Sequence, residues 1–173
     1  MRPIQVLGIL AILGLLSNVS AAETGRAVIA GTEPGSKLAG EMKLEETDAG
    51  LRIEVTLSGA APGEHGFHIH AFGSCDDGGK AAGGHYNPDG VKHGSLQKDG
   101  PTGAHAGDLG NLRVQPDGSG SFTATLEPLT LSGARYPVAG RAVILHAQPD
   151  DFGQPTGNAG ARIGCGTIVI APH

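Results

Sequence analysis

The amino-acid sequence predicts an all-β fold: a sandwich or barrel of eight short antiparallel strands, with two long loops that carry the chemistry. Three observations predict it. Short runs of Val, Ile and Leu recur along the chain, several of them alternate apolar with polar residues, and none has helical periodicity. Glycine supplies 30 of the 173 residues, far above an average usage near ~7 %, and without the triplet period of collagen, so turns are abundant. Aromatic residues make up only 3 % and Trp is absent, so the core must be aliphatic. The length suits one domain.

Taken in chain order, residues 1–22 read as a secretory signal peptide. Met1 and Arg2 open it, an apolar run covers 6–16, and small residues at 17–22 suit cleavage. The run is shorter than the ~20 apolar residues a spanning helix needs, so no membrane anchor is expected after cleavage. The domain is then residues 23–173, in a periplasmic or secreted setting, where an oxidising compartment pairs Cys75 with Cys165. Strands are expected at 26–30, at 38–44 and 51–57 around a polar turn at 45–50, and at 66–70, where Phe67 and Ile69 alternate with His68 and His70. The others fall at 111–114, 121–126, 141–146 and 167–170. Residues 72 to about 106 contain neither a good strand nor a good helix. Loops longer than about ~15 residues are uncommon in compact domains and usually functional. This one carries Cys75, His85, His93 and His105, and a metal together with a disulfide would offset the entropy of ordering it. A second irregular segment covers 147–161.

Charge and composition exclude some classes of function. The net charge of −5, from 12 basic and 17 acidic residues, is the opposite of a nucleic-acid footprint. Two cysteines cannot build a zinc-finger framework. The eight histidines are the unusual feature, and all but His173 lie between His65 and His146. His68 and His70, two apart in a strand, share one face and can share one metal, although exposed polar positions would follow the same pattern. His85, His93, His105 and Asp108 offer three nitrogens and a carboxylate, a set that suits tetrahedral zinc. His146 ends an apolar strand and alone would read as structural. The groups together leave few histidines unused.

These residues resemble those of the copper/zinc superoxide dismutases, of the secreted bacterial kind. GEHGFHIH at 63–70 is similar to the family's first copper-binding signature. GGHYNP at 83–88, KHG at 92–94 and HAGDLGN at 105–111 are similar to its zinc loop, and GNAGARIGCG at 157–166 to its C-terminal signature. The likeness runs in order along nearly the whole chain after residue 22. It implies a Greek-key barrel with one copper held by His68, His70, His85 and His146. It implies one zinc held by His85, His93, His105 and Asp108, with His85 shared as an imidazolate. Asp150 matches a carboxylate linking His68 to His93, Arg162 an arginine beside the open copper face, and Cys75 and Cys165 the family disulfide. The implied reaction is disproportionation of superoxide to O2 and H2O2, with copper cycling between Cu(II) and Cu(I) and His85 taking up and returning a proton. Four imidazoles suit Cu(II) on chemical grounds.

The sequence departs from the pattern in two places. The spacing between His93 and His105 is long, filled by residues 94–104, and the segment from Asp150 to Arg162 is short beside that of eukaryotic members. His65 reads as structural and His173 as a bystander. A monomer and a homodimer both fit. A protein that only buffers copper or zinc is the rival reading. Such a protein would be expected to lack copper ligands or the arginine, and this sequence keeps all of these positions.

Overall fold

The computed structural model describes residues 22–133 and 135–172. The expected signal segment as far as residue 21, and His173, lie outside them. The strands are β1 (Thr24–Gly31), β2 (Ala39–Thr47), β3 (Gly50–Ser58), β4 (Gly63–His70), β5 (Asp108–Val114), β6 (Gly120–Leu126), β7 (Ala142–His146), β8 (Arg162–Thr167) and β9 (Val169–Ile170). Their order is β2-β3-β6-β5-β4-β7-β8-β1-β9, and β1 also pairs with β2, which closes eight antiparallel strands into a barrel. The β3–β4 and β6–β7 connections each pass two strands, as in a Greek key.

Two seams of the barrel are thin. The β5–β6 seam holds Arg113 opposite Ser121 and Val114 opposite Gly120. The β1–β8 seam holds Ala30 opposite Cys165 and Gly31 opposite Gly164. Elsewhere pairing is long, up to the full β2–β3 hairpin. Alternation places Met42 and Leu44 of β2 and Leu51, Ile53, Val55 and Leu57 of β3 inside, each burial favouring the fold by roughly 1.5–3 kcal/mol. Phe67 meets Phe122 at a ring separation of 5.6 Å. Leu129, Leu131 and Val138, from the β6–β7 connection, are fully buried and plug one end. Leu131 reaches so close to β1 that a Cβ at Gly25 would lie 2.7 Å from its methyl.

The C-terminal strand differs from the expectation. A single strand at 167–170 is replaced by β8, which starts earlier at Arg162, and by the extra short β9. Ile168 separates them: its side chain is fully buried, and its N–H donates to the Arg141 carbonyl at 2.8 Å. Pairing then passes from β7 to β1, where Val169 faces Arg26. Between β4 and β5 the chain is mostly loop, as expected, with one 3-10 turn (Lys80–Ala82) and one helical turn, α1 (Leu96–Asp99). Among the described residues no helix is long and apolar enough to cross a membrane.

The loop is laid along the barrel wall. Past Gly66 the β4–β5 register slips, so that Asp108 stands opposite His68. The loop fills the vacated edge: Ile69 N–H donates to Gly107 O, and Tyr86 N–H donates to Ile69 O, both at 2.9 Å. This pairing fixes the stretch of β4 that carries His68 and His70.

Candidate metal centre

Five parts of the chain converge at one end of the barrel wall. β4 brings His68 and His70, β7 brings His146, and β5 begins with Asp108. The long loop brings His85, His93 and His105, and the β7–β8 loop brings Asp150. All eight side chains are buried. Ligand atoms of His68, His70, His85 and His146 lie within 4.8 Å of one another, as do those of His85, His93, His105 and Asp108. His85 belongs to both groups.

In the first group the hydrogen bonds select the tautomers. His70 Nδ1–H donates to Gly83 O at 2.9 Å and His146 Nδ1–H to Gly160 O at 3.2 Å. Each ring then presents an unprotonated Nε2, and the two nitrogens face each other at 3.3 Å. Opposed lone pairs repel until a cation lies between them. His68 Nε2–H donates to Asp150 Oδ2 at 2.8 Å, which leaves its buried Nδ1 without a partner. Buried polar atoms rarely stay unpaired, so an orphaned nitrogen among three imidazoles fits a metal ligand. Burial, reinforced by neighbouring positive charge, lowers the pKa of His70 to about 2 and of His146 to about 3. Burial also lowers His85 to about 4, against the pull of Asp108. All three rings are therefore neutral at pH 7, the form that binds metals.

The second group closes around the Asp108 carboxylate. Oδ1 lies 2.8 Å from His85 Nδ1 and 3.1 Å from His105 Nδ1. Oδ2 accepts from Gly94 N–H at 3.0 Å and His105 N–H at 2.9 Å. Burial would raise the Asp108 pKa, but hydrogen bonds from His105, His85 and Gly94, together with the adjacent His93 ring, outweigh it and hold the group well below the usual carboxylate range. His93 Nε2–H donates to Asp150 Oδ1 at 2.9 Å. Its Nδ1 lies 2.9 Å from Asp108 Oδ2, but off the line a hydrogen bond requires. Positive charge is what this corner lacks. Burial opposes protonation of His93, yet the two carboxylates raise its pKa to about 9.

Asp150 joins the groups, one oxygen on His68 and the other on His93. Burial would raise its pKa too, but these bonds and the Phe152 N–H keep it below the usual range. Gly157 has to be glycine: at φ +76, its Cβ would lie 1.9 Å from Asp150 Oδ1. A cavity of about 200 Å3, lined by His70, His85, His146, Asn158, Gly160 and Arg162, opens onto the first group. Arg162 donates to Gly79 O and Gly83 O, each at 2.5 Å. It therefore both lines the cavity and props the loop carbonyl that orients His70. The Cys75–Cys165 disulfide is formed and ties the start of the loop to β8. His65 spans two carbonyls, His146 O at 2.7 Å and Ala61 O at 2.8 Å, a structural role as expected.

Two supporting residues escaped the sequence reading. Asn111 brackets the backbone of Asp150, accepting its N–H at 2.7 Å and donating to its carbonyl at 2.9 Å. Gln154 brackets His93 in the same way, at 3.2 and 2.9 Å. Asn111 lay inside a recognisable motif. Gln154 carried no signal, because it acts on a residue 61 positions away.

Fold and site define a class: an antiparallel Greek-key barrel whose wall carries two adjoining groups of side chains that could each hold a metal, with one imidazole in common. Comparison with known proteins narrows it. The family model described as copper/zinc superoxide dismutase matches residues 38–168. Superoxide dismutase [Cu-Zn] 2 of Brassica juncea is 43% identical over 133 residues, which span 73% of this chain and 85% of that protein. A solved structure titled "Crystal Structure Analysis of the clock protein EA4" aligns with a TM-score of 0.76 at 30% identity, covering 88% of this chain and 97% of the other. The chain belongs to the copper/zinc superoxide dismutase family. Its activity is superoxide dismutation, with copper and zinc as cofactors.

Proposed function

We propose that the chain dismutes superoxide outside the cytoplasm, with copper on His68, His70, His85 and His146 and zinc on His85, His93, His105 and Asp108. The observation that carries the assignment is the opposed pair of Nε2 atoms of His70 and His146, 3.3 Å apart beside the orphaned His68 Nδ1. Copper, when bound, supplies the one-electron couple by which one superoxide is oxidised to O2 and a second is reduced to H2O2, a role closed to zinc. The rest is done by the protein. His85 turns Nδ1 to Asp108, which leaves Nε2 for the copper group. That atom holds a proton in one half-reaction and returns it to the reduced oxygen in the other, and the second proton comes from water. Asp150 fixes the orientation of His68 and His93. Arg162 places a permanent positive charge on the cavity wall, where it attracts a small anion.

The apolar run at residues 6–16 and the Cys75–Cys165 disulfide support an extracytoplasmic setting. N-terminal sequencing of the exported protein tests it: a mature chain beginning near residue 23 is expected, and an intact Met1 would contradict the reading. The metal assignment is tested by substituting His146, which enters the first group only. His146→Ala should lose copper and activity and keep zinc.

A further inference from the structure

We infer that Phe152, pinned by Lys98, is a positioning residue that covers His93 and sets how fast the zinc half of the site opens. The inference rests on the reading of His93 as a zinc ligand. Phe152 is unusual in two respects. It is a large apolar residue that remains 40% exposed, and its backbone lies at φ 59, in the left-handed region. Bulky residues rarely adopt that conformation, which persists only where the surroundings impose it. Here the turn imposes it. Phe152 N–H donates to Asp150 Oδ1 and Gly153 N–H to Asp151 Oδ1, each at 2.8 Å. Asp151 N–H donates to Gly157 O at 2.9 Å, and Gly157 N–H to Gly153 O at 2.7 Å.

The position owes nothing to the barrel core, since Phe152 lies outside its clusters. Its ring lies instead nearly parallel to that of His93, tilted by 17° with centroids 6.4 Å apart, within the range of offset aromatic contacts. Lys98 Nζ sits 5.8 Å from the Phe152 centroid, at the limit of a cation–π contact. Lys98 belongs to α1, which exists because the spacing between His93 and His105 is long. Leu96 anchors α1 in the core cluster, and Asp99 accepts the Ser95 N–H at 2.8 Å. The β7–β8 loop thus grips His93 at three points: Asp150 on Nε2, Gln154 on the backbone and Phe152 on the ring. The first two hold the imidazole in place. The third lies over it, and the insertion that carries Lys98 holds that cover down from the opposite loop.

The test uses the full protein loaded with copper and zinc, and follows zinc release into excess colorimetric chelator at pH 7. Phe152→Gly retains the φ that glycine accepts freely and removes the ring. It should release zinc about tenfold faster, the effect of losing an ordinary aromatic contact. Lys98→Ala should release it about two- to fivefold faster. Phe152→Tyr restores a ring and should match the wild type. Copper content should stay the same throughout, and the melting temperature of metal-free Phe152→Gly should not fall. Zinc release at the wild-type rate from Phe152→Gly overturns the inference alone. So does release from Phe152→Tyr as fast as from Phe152→Gly, or a lower melting temperature of the metal-free glycine variant, which would indicate general loosening. A wild type that binds no zinc overturns both this inference and the ligand assignment.

Discussion

The site depends on individual atoms left without partners, and its residues are tested one at a time. Asp108 meets three imidazoles and two backbone N–H groups with its two oxygens. Asp108→Ala should lose zinc entirely and loosen the loop from 76 to 106, whose packing rests on a few side chains such as Tyr86 and Leu96, as metal analysis and limited proteolysis would show. Full zinc retention would disprove the assignment. Arg162 is a more delicate case, because its guanidinium serves two carbonyls as well as the cavity. Arg162→Lys keeps the charge but not the planar fork. Pulse radiolysis on fully metallated samples should rank wild type, then Arg162→Lys, then Arg162→Ala. The alanine variant should be slower by about 10-fold or more, in line with local steering. An alanine variant as fast as wild type would make the arginine purely structural. At this scale the side chains that converge were legible in sequence because few residue types suit these metals. Asn111 and Gln154 were not, because an amide that holds a distant backbone looks like any loop amide.

At the scale of elements, legibility followed side-chain size. The strands β2 and β3 alternate large apolar with polar residues, so their inner faces could be read directly. In β8, Gly164, Cys165 and Gly166 are buried without bulk, so the strand left no apolar pattern, and only its end was foreseen. The glycines there answer a close approach: a Cβ at Gly166 would lie 2.5 Å from Val28 O. The loop from 72 to 106 was recognisable by what it lacked, but its attachment to β4 through Tyr86 and Gly107 depends on a register slip that no local pattern encodes. Cys75–Cys165 is the covalent part of that attachment, at a sequence separation of 90. Loop-closure models assign roughly 4–5 kcal/mol to a cross-link of that span. Reduction should therefore lower the melting temperature of the metal-free protein by several degrees, and calorimetry with and without reductant would show it. Identical transitions would mean that the loop is held by its hydrogen bonds alone.

The whole molecule is anionic, at a net −5, and so is its substrate. Capture must work through the local field at the cavity, and the wild-type rate should fall as added salt screens it. Protonation gives a second global test, on metal-free protein. The pKa values of His70, His85 and His146 are lowered to about 2, 4 and 3. An unfolded chain takes up these protons near pH 6.5, so their contribution is intact above that pH and is lost as pH falls towards 4. The slope approaches about 4 kcal/mol per pH unit for three groups. His93 runs the other way. Its raised pKa of about 9 contributes stability that is complete below about pH 6.5 and lost as pH rises through 9. Urea unfolding should therefore give a maximum between about pH 6 and 7, and a flat profile from pH 4.5 to 9 would contradict these charge states.

The two groups that meet at His85 could hold both metals, and turnover is what separates a catalyst from a metal store. The decisive measurement combines metal analysis of the purified protein with superoxide decay followed by pulse radiolysis on the same sample. The expected result is one copper and one zinc per chain, with decay that accelerates in proportion to protein-bound copper. A chain that holds both metals and leaves superoxide to decay at its spontaneous rate would contradict it.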